Sequence, residues 1–425
     1  MPSYYIWTIG CQMNKADSSH IASYFNQLGY IPVRSADEAD IVVVNSCVVR
    51  HSAENKTANK LVNLRPLKKL RPNLTLLLTG CLVDSNIDDL QRKFPYVDLF
   101  LQPQQWDKLE QWAESRGLSK HDSQPSPAHT PISAFVPIIQ GCNNFCSYCI
   151  VPFRRGRENS RTIEEVVCEV EKLVDEGCRE VTLLGQNVDS YGHDLPDSPH
   201  LADILTELNG IKELKRIRFL TNHPKDMSHK LIQSIAHLNK VCEHITLPVQ
   251  AGDDEILQAM GRNYTAEQFR RLVEQARSVI PGVALSTDII VGFPGETEDQ
   301  FQRTVDLLRE IRFNTVHVAP YSPRTGTIAS ERFKDNVPMA EKKRRREIIE
   351  ELQESIATEI NAQSLGTTVE VLVDGQKKGK GQGRTRTDTL VFFSDAPNCL
   401  GQLVLINIEK TSPWALQGNA LDSKA

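Results

Sequence analysis

Three apolar stretches near the start of the chain share one layout. Tyr4-Tyr-Ile-Trp-Thr-Ile9 stops at Gly10-Cys11, and Asp40-Ile-Val-Val-Val-Asn45 ends two residues before Cys47. Leu74-Thr-Leu-Leu-Leu-Thr79 runs directly into Gly80-Cys81. All three read as strands, and the continuous apolar runs of the second and third predict burial on both faces, as in a parallel sheet. Between the first two, Ile21, Phe25 and Leu28 recur at helical spacing, which predicts a helix from Asp17 to Leu28 with Asp17 as its cap and Gly29 as its stop. Residues 1–118 therefore read as an open parallel α/β sheet domain.

The pattern then breaks. Residues 119–131 are polar and proline-rich, the composition of a linker. Six strand-like runs follow, at 134–139, 180–184, 216–221, 244–249, 284–291 and 315–319, separated by helical patterns. Thr162 with Glu165 forms a capping box ahead of the stripe Ile163, Val166, Val167, Val170 and Val174, and Thr297 with Gln300 opens another helix likewise. Strand–helix alternation implies a parallel sheet, and six units are too few for the eight-stranded closed form. A partial (βα)6 barrel over 132–363 is predicted, with its working edge at the carboxyl ends of its strands.

Pro338 introduces a long charged helix in which Lys342-Lys-Arg-Arg-Arg346 precedes acidic residues, the pattern of a solvated face. From residue 364 the period shortens. Val369–Val373, Thr389–Phe393 and Leu403–Asn407 predict a small antiparallel β-barrel over 364–417, before a tail at 418–425. The segment 375–386 between the first two strands contains no acid and reads as a flexible basic loop. It suits an oligonucleotide-binding barrel or a solvated hairpin about equally.

Composition narrows the class without changing this outline. The chain has 425 residues, 40% hydrophobic and 24% charged, with a net charge of −5. No apolar run approaches the ~20 residues needed to cross a bilayer. The opening residues lack the basic-then-apolar order of a secretion signal, so a cytoplasmic protein is expected. Mild acidity restricts any RNA contact to local basic patches.

Ten cysteines in such a chain point to metal binding before disulfides. Cys142, Cys146 and Cys149 follow a C-x3-C-x2-C spacing in one short loop just after the first barrel strand. A cubane cluster normally takes four thiolates, so three leave one iron open to a small molecule. A structural zinc site is the alternative, but it needs a fourth ligand that does not lie nearby in sequence. Cys11, Cys47 and Cys81 each follow a strand, and in an open parallel sheet such loops share one edge. They are expected to converge on a second three-thiolate cluster, against the alternative that they are small packing residues. Cys168, Cys178, Cys242 and Cys399 show no mutual relation and read as packing residues. His223, His244 and His317 have no ligand-type spacing and read as hydrogen-bonded core residues.

The cysteine loop resembles that of the radical S-adenosylmethionine (SAM) enzymes. With Ile9-Gly-Cys-Gln-Met-Asn14, Val42-Val-Asn-Ser-Cys47, Arg50-His-Ser-Ala-Glu-Asn55, Gly141–Arg161, Leu184-Gly-Gln-Asn-Val188, Met260-Gly-Arg-Asn-Tyr-Thr265 and Thr287–Thr297, nearly the whole chain is similar to the radical SAM methylthiotransferase family. Gly10-Cys-Gln-Met-Asn14 and the loop from Gly141 to Pro152 point to its MiaB branch, and Val369–Val373 with Gly383-Arg-Thr385 resembles its TRAM domain. Phe153, Arg154, Asn159, Ala251-Gly-Asp and Leu82-Val-Asp depart from the usual residues, and none is a cluster ligand.

This resemblance implies two [4Fe–4S] clusters, a SAM cluster on Cys142, Cys146 and Cys149 and an auxiliary one on Cys11, Cys47 and Cys81. It implies two SAM per turnover, one cleaved to a radical that takes the hydrogen from C2 of adenine and one methylating the inserted sulfur. Methylthiolation of N6-isopentenyladenosine at tRNA position 37 is the activity it implies. Sister activities on threonylcarbamoyladenosine or a ribosomal-protein aspartate, and a non-enzymatic zinc-stabilised RNA-binding protein, are the alternatives. Phe145, Tyr148, Gly185, Gln186, Gln250, Arg262 and Gly292 are candidates for holding SAM. Arg154, Arg155, Arg157, Arg161, Lys377, Lys378, Lys380, Arg384 and Arg386 are candidates for holding the tRNA anticodon stem-loop. An electron donor, a sulfur source and a monomeric state complete the expectation.

Overall fold

A computed structural model describes residues 1–49, 51–84, 87–103, 105–118, 131–394 and 399–421. Arg50 of the expected motif, nearly all of the expected linker and the second half of the expected tail lie outside the described residues. The chain forms two compact units. The first comprises the N-terminal segment together with Gln140–Asn144 and Cys149–Glu158, and the second holds Phe145–Tyr148 and the central and C-terminal regions.

In the first unit, five parallel strands stand in the order Ile31–Pro32, Ser3–Thr8, Ile41–Ser46, Thr75–Gly80, Leu99–Leu101. The two central strands are buried at every position, as their uninterrupted apolar runs require. The first helix runs Gln12–Gln27, five residues earlier than the apolar stripe suggests. Cys11 is its N-cap, and the Asn14 side chain reaches back to the Cys11 amide at 3.4 Å. Asp17 is therefore not a cap. It lies inside the helix, 5% exposed, because it has a buried partner.

In the second unit, Ser133–Pro137, Glu180–Leu184 and Arg216–Phe219 form one parallel sheet, and His244–Thr246, Ala284–Val291 and Thr315–Pro320 another. A parallel bridge from Ile217 to Val241 joins them into one open six-stranded wall. Val136, Val181, Leu183, Ile217, Phe219, Ile245 and Leu285 face the surrounding helices, where most of the core lies. Alternate positions carry Glu180, Arg216, Arg218, His244 and Ser286, so the concave face is polar although buried. The helices Ile163–Asp175 and Glu298–Ile311 begin at the expected capping boxes.

The charged helix Met339–Ala362 is not solvated all round. Lys342 and Arg345 are 1% and 4% exposed. Lys342 pairs with Asp335 at 2.7 Å and Arg345 with buried Glu296 at 2.7 Å, which lets both side chains face inward.

The C-terminal barrel closes with five strands, Thr368–Lys377, Lys380–Arg384, Leu390–Ser394, Leu403–Thr411 and Leu416–Ala420. Four pairings are antiparallel and one, Leu390–Ser394 with Leu416–Ala420, is parallel. The expected flexible loop is a hairpin turning at Lys378-Gly379, where both residues have positive φ. The closing strand crosses the expected boundary at 417. Both missed strands are rich in Gly, Gln, Lys and Asn, so neither shows the apolar alternation that marks a strand.

Candidate iron–sulfur and SAM site

Register decides where the first three cysteines lie. Thr8 pairs with Asn45 and Asn45 with Thr79, so three neighbouring strands end level. The Ile9 amide donates to Asn45 O at 3.0 Å, and the Cys81 amide to Ser46 O at 2.9 Å. Cys11, Cys47 and Cys81 thus leave one sheet edge from adjacent strands, spaced about 5 Å apart. Buried Asn14 ties the loops by donating to Asn45 Oδ1 at 2.8 Å and Ser46 O at 2.9 Å. Gly80 has φ +89°, and an added Cβ would collide with the Ser46 carbonyl, so only glycine fits ahead of Cys81.

Two of these three sulfurs, those of Cys47 and Cys81, are met by donors. The Val49 amide points at Cys47 Sγ at 3.4 Å, and buried Arg155 donates Nε to Cys81 Sγ at 3.4 Å. Arg155 also holds Asp17 at 2.8 Å. Burial alone pushes the Cys81 thiol up, and the Arg155 charge opposes that. Cys11 is the exposed member, its thiol 3.2 Å from Asn14 Oδ1.

In the second cysteine loop, Cys142 and Cys149 belong to the first unit and Cys146 to the second. The Asn144 amide points at Cys142 Sγ at 3.5 Å. Gly141 has φ +78°, with the Arg157 carbonyl where a Cβ would stand. Ser147 fixes the other limb: its amide donates to Met260 O at 2.9 Å and its hydroxyl to Ala259 O at 2.7 Å, and its carbonyl accepts from Ala329 N at 2.7 Å. Arg262, 4% exposed, donates to Cys146 Sγ at 3.4 Å and to Pro248 O at 2.7 Å, while its Nε meets Tyr264 Oη at 2.8 Å.

Donors aimed at sulfur favour thiolates, and hydrogen bonds of this kind surround cluster ligands. Cys47, Cys81, Cys142 and Cys146 receive such donors, whereas Cys178 donates its own thiol to the Glu180 carbonyl at 3.1 Å and Cys11 donates its thiol to Asn14 Oδ1. Among the described residues, no three His, Cys, Asp or Glu side chains are gathered closely enough for a single metal ion. A cubane spreads its thiolates over separate irons, so its ligands stand farther apart. The donor set fits two such clusters.

Other candidates sort by environment. Gly185 and Gly292 follow the carboxyl ends of their strands, and Gln250 lies just beyond His244–Thr246. Gln250 has φ +73°, its amide bonded to Asp288 O at 2.9 Å. Phe145 and Thr221 also adopt positive φ, so strained backbone collects in the loops of this edge. At Gly292 φ is +69° and an added Cβ would strike the Lys342 side chain, so backbone and packing both require glycine there. Tyr148 packs beside a small core containing Met260 and Phe293, and Gln186 is half-buried.

The basic candidates divide. Arg155 is committed to Cys81 and Asp17 and presents no charge to a phosphate. Arg386 pairs with Glu243 at 2.7 Å, and Arg161 with Glu169 at 2.5 Å. Arg154 pairs with Asp84, and Arg384 with Asp388 at 3.4 Å. Arg157, Lys377, Lys378 and Lys380 are exposed. Of the remaining cysteines and histidines, Cys168 and His317 are exposed, not core. Sequence reasoning missed Asp189, buried and bonded by Asn222 Nδ2 at 2.5 Å and the His223 amide at 2.9 Å. Burial raises its carboxyl to about 7. Its place directly after the Gln186-Asn-Val188 loop was the available signal.

Family comparisons agree with this layout. Residues 136–308 match the radical SAM superfamily, 3–102 the uncharacterized protein family UPF0004, and 362–421 the TRAM domain. A solved radical SAM methyltransferase, TsrM from Kitasatospora setae with cobalamin and a [4Fe-4S] cluster bound, is similar in fold. Its TM-score is 0.55 at 13% identity, over 90% of this chain and 77% of that one. Curated relatives are far nearer. The tRNA-2-methylthio-N(6)-dimethylallyladenosine synthase of Dehalococcoides mccartyi strain CBDB1 is 50% identical over 422 residues, 99% of each chain. That of Chloroflexus aurantiacus is 46% identical over 98% of this chain and 91% of its own. With such identity from end to end, and both cysteine sets in place, this chain belongs to the tRNA-2-methylthio-N(6)-dimethylallyladenosine synthase family of radical SAM enzymes.

Proposed function

We propose that this enzyme methylthiolates C2 of N6-isopentenyladenosine at position 37 of tRNA. Cys142, Cys146 and Cys149 would hold the SAM-binding [4Fe–4S] cluster, and Cys11, Cys47 and Cys81 an auxiliary one. The chemistry these groups supply when bound is one-electron cleavage of SAM and delivery of sulfur to an unactivated C–H position, which no acid or base reaches at neutral pH. The observation that carries the reading is the pair of three-cysteine sets, one on a single loop and one on the level ends of three strands.

The protein's own contribution is placement. Asn14, Gly80 and the Val49 amide fix the first set, and Ser147 and Arg262 fix Cys146. Lys377, Lys378 and Lys380 on the barrel hairpin, with Arg157, supply charge for the phosphates of an anticodon stem-loop. Two SAM are consumed per turnover, one for the radical step and one for the methyl group. An electron donor and a sulfur source act with the enzyme, which works as a monomer in the cytoplasm where tRNA resides.

Anaerobic reconstitution with iron and sulfide counting tests this together with mass spectrometry of tRNA. About eight irons per chain are expected, falling to about four when either cysteine set is replaced by alanine. A strain carrying Cys47→Ala should accumulate isopentenyladenosine without its methylthio group, while SAM cleavage persists in the purified variant. Full methylthiolation by Cys47→Ala would refute the assignment.

A further inference from the structure

Among the described residues a buried arginine touches a sulfur of each cysteine set, and the two arginines differ in what balances their charge. Arg155 touches Cys81 Sγ with Nε at 3.4 Å and Asp17 with Nη2 at 2.8 Å. The side chains of Arg155 and Asp17 are 2% and 6% exposed. Guanidinium does not give up its proton in a protein, so Asp17 carries the compensating charge. Arg262 touches Cys146 Sγ at the same 3.4 Å, but its other partners are the Pro248 carbonyl and the Tyr264 hydroxyl. Among the described residues it makes no ion pair, and it is as buried as Arg155.

Building on the two-cluster reading above, we propose that this difference is an electrostatic device that directs the incoming electron. Arg262 is a positioning residue whose unbalanced positive charge makes the cluster on Cys142, Cys146 and Cys149 easier to reduce. Arg155 orients Cys81 through an equal hydrogen bond, while Asp17 cancels its charge and leaves the auxiliary cluster harder to reduce. Charge and hydrogen bonds at cluster sulfurs set reduction potentials, and in a dry interior an uncompensated unit charge acts strongly. Separation matters because the step that cleaves SAM takes one electron. An electron resting on the sulfur-bearing cluster would be lost to it.

The test reads midpoint potentials by EPR-monitored titration, one cluster at a time. Cys142→Ala/Cys146→Ala/Cys149→Ala isolates the auxiliary site, and Cys11→Ala/Cys47→Ala/Cys81→Ala the other. About four irons in each background establishes the two-cluster reading independently; fewer would overturn that reading and this proposal with it, whereas four irons with unchanged potentials would overturn this proposal alone. Asp17→Asn is expected to shift the auxiliary one-electron equilibrium toward the reduced form tenfold or more, about 59 mV or more upward. Arg262→Gln should shift the SAM-site equilibrium at least as far toward the oxidised form, and Arg262→Lys should restore most of the difference. Should Asp17→Asn fail to retain iron, Asp17→Asn/Arg155→Gln decides: a potential within a factor of ten of wild type supports cancellation, and a larger shift overturns it. Unchanged potentials in iron-replete Asp17→Asn and Arg262→Gln would overturn the proposal outright.

Discussion

At Gly80 a single hydrogen atom determines whether three strands can end together. Its φ of +89° and the Ser46 carbonyl at the would-be Cβ leave no room for alanine. Gly80→Ala should therefore cost about 3 kcal/mol or more, measured by urea denaturation, with loss of iron from the first cysteine set. Buried titrating groups have effects of either sign. Burial lowers His223 to about 2 and His244 to about 4, against an unfolded value near 6.5. A base depressed in the fold contributes stability that is present above its unfolded pKa and lost as the pH falls through the interval below it. Asp189, raised to about 7, acts oppositely: its contribution is complete at low pH and fades as the pH rises from about 4 to about 7. Two histidines outweigh one carboxyl, so from these three groups stability declines as the pH drops from about 6.5 to about 4. His244→Gln should lose about 1.4 kcal/mol less per pH unit than wild type across that window in urea midpoints. An equal slope in the two proteins would refute the assignment.

Elements owe their limits to caps more than to their apolar stripes. Thr162 accepts the Glu165 amide at 3.2 Å and Glu165 returns to the Thr162 amide at 3.0 Å, as the residues alone suggest. Thr162→Ala should cost about 1 kcal/mol by thermal or urea unfolding. The first helix teaches the reverse. Asp17 is an excellent cap by type, yet the helix starts at Gln12, since Asn14 reaches Cys11 and Asp17 is claimed by Arg155, 138 residues away. No local pattern announces a partner at that separation. The strand Lys380–Arg384 was hidden for another reason: glycines and polar residues pair through backbone alone, which carries no hydrophobic signature.

For the whole second unit, the decisive contacts join the barrel wall to the C-terminal β-barrel. Arg218 bonds Glu180 at 2.9 Å, Thr385 O at 2.6 Å and Arg386 O at 2.9 Å, and Arg216 reaches Arg384 O at 2.6 Å and Glu370 at 2.9 Å. Arg386 returns the contact to Glu243 and the Val241 carbonyl. These guanidiniums hold the hairpin base as a fixed part of the unit, leaving Lys377, Lys378 and Lys380 outward. Arg218→Ala should cost about 3–5 kcal/mol, because Glu180 is left buried without its partner. Hydrogen exchange over residues 368–420 should then rise well before the first unit responds. Protection unchanged from wild type would show that the guanidinium is not what couples the two barrels.

By itself, the order of residues determined the strand runs, the capping boxes, the βα alternation and both cysteine sets. These depend on spacing and side-chain type over a few neighbouring positions. Only the tertiary structure decided that Arg155 and Arg262 face sulfur, that Asp17 balances one and not the other, and that Lys342 and Arg345 turn inward. Whether a charge is solvated or buried depends on partners brought from far along the chain, and the free energy of that pairing has no local trace.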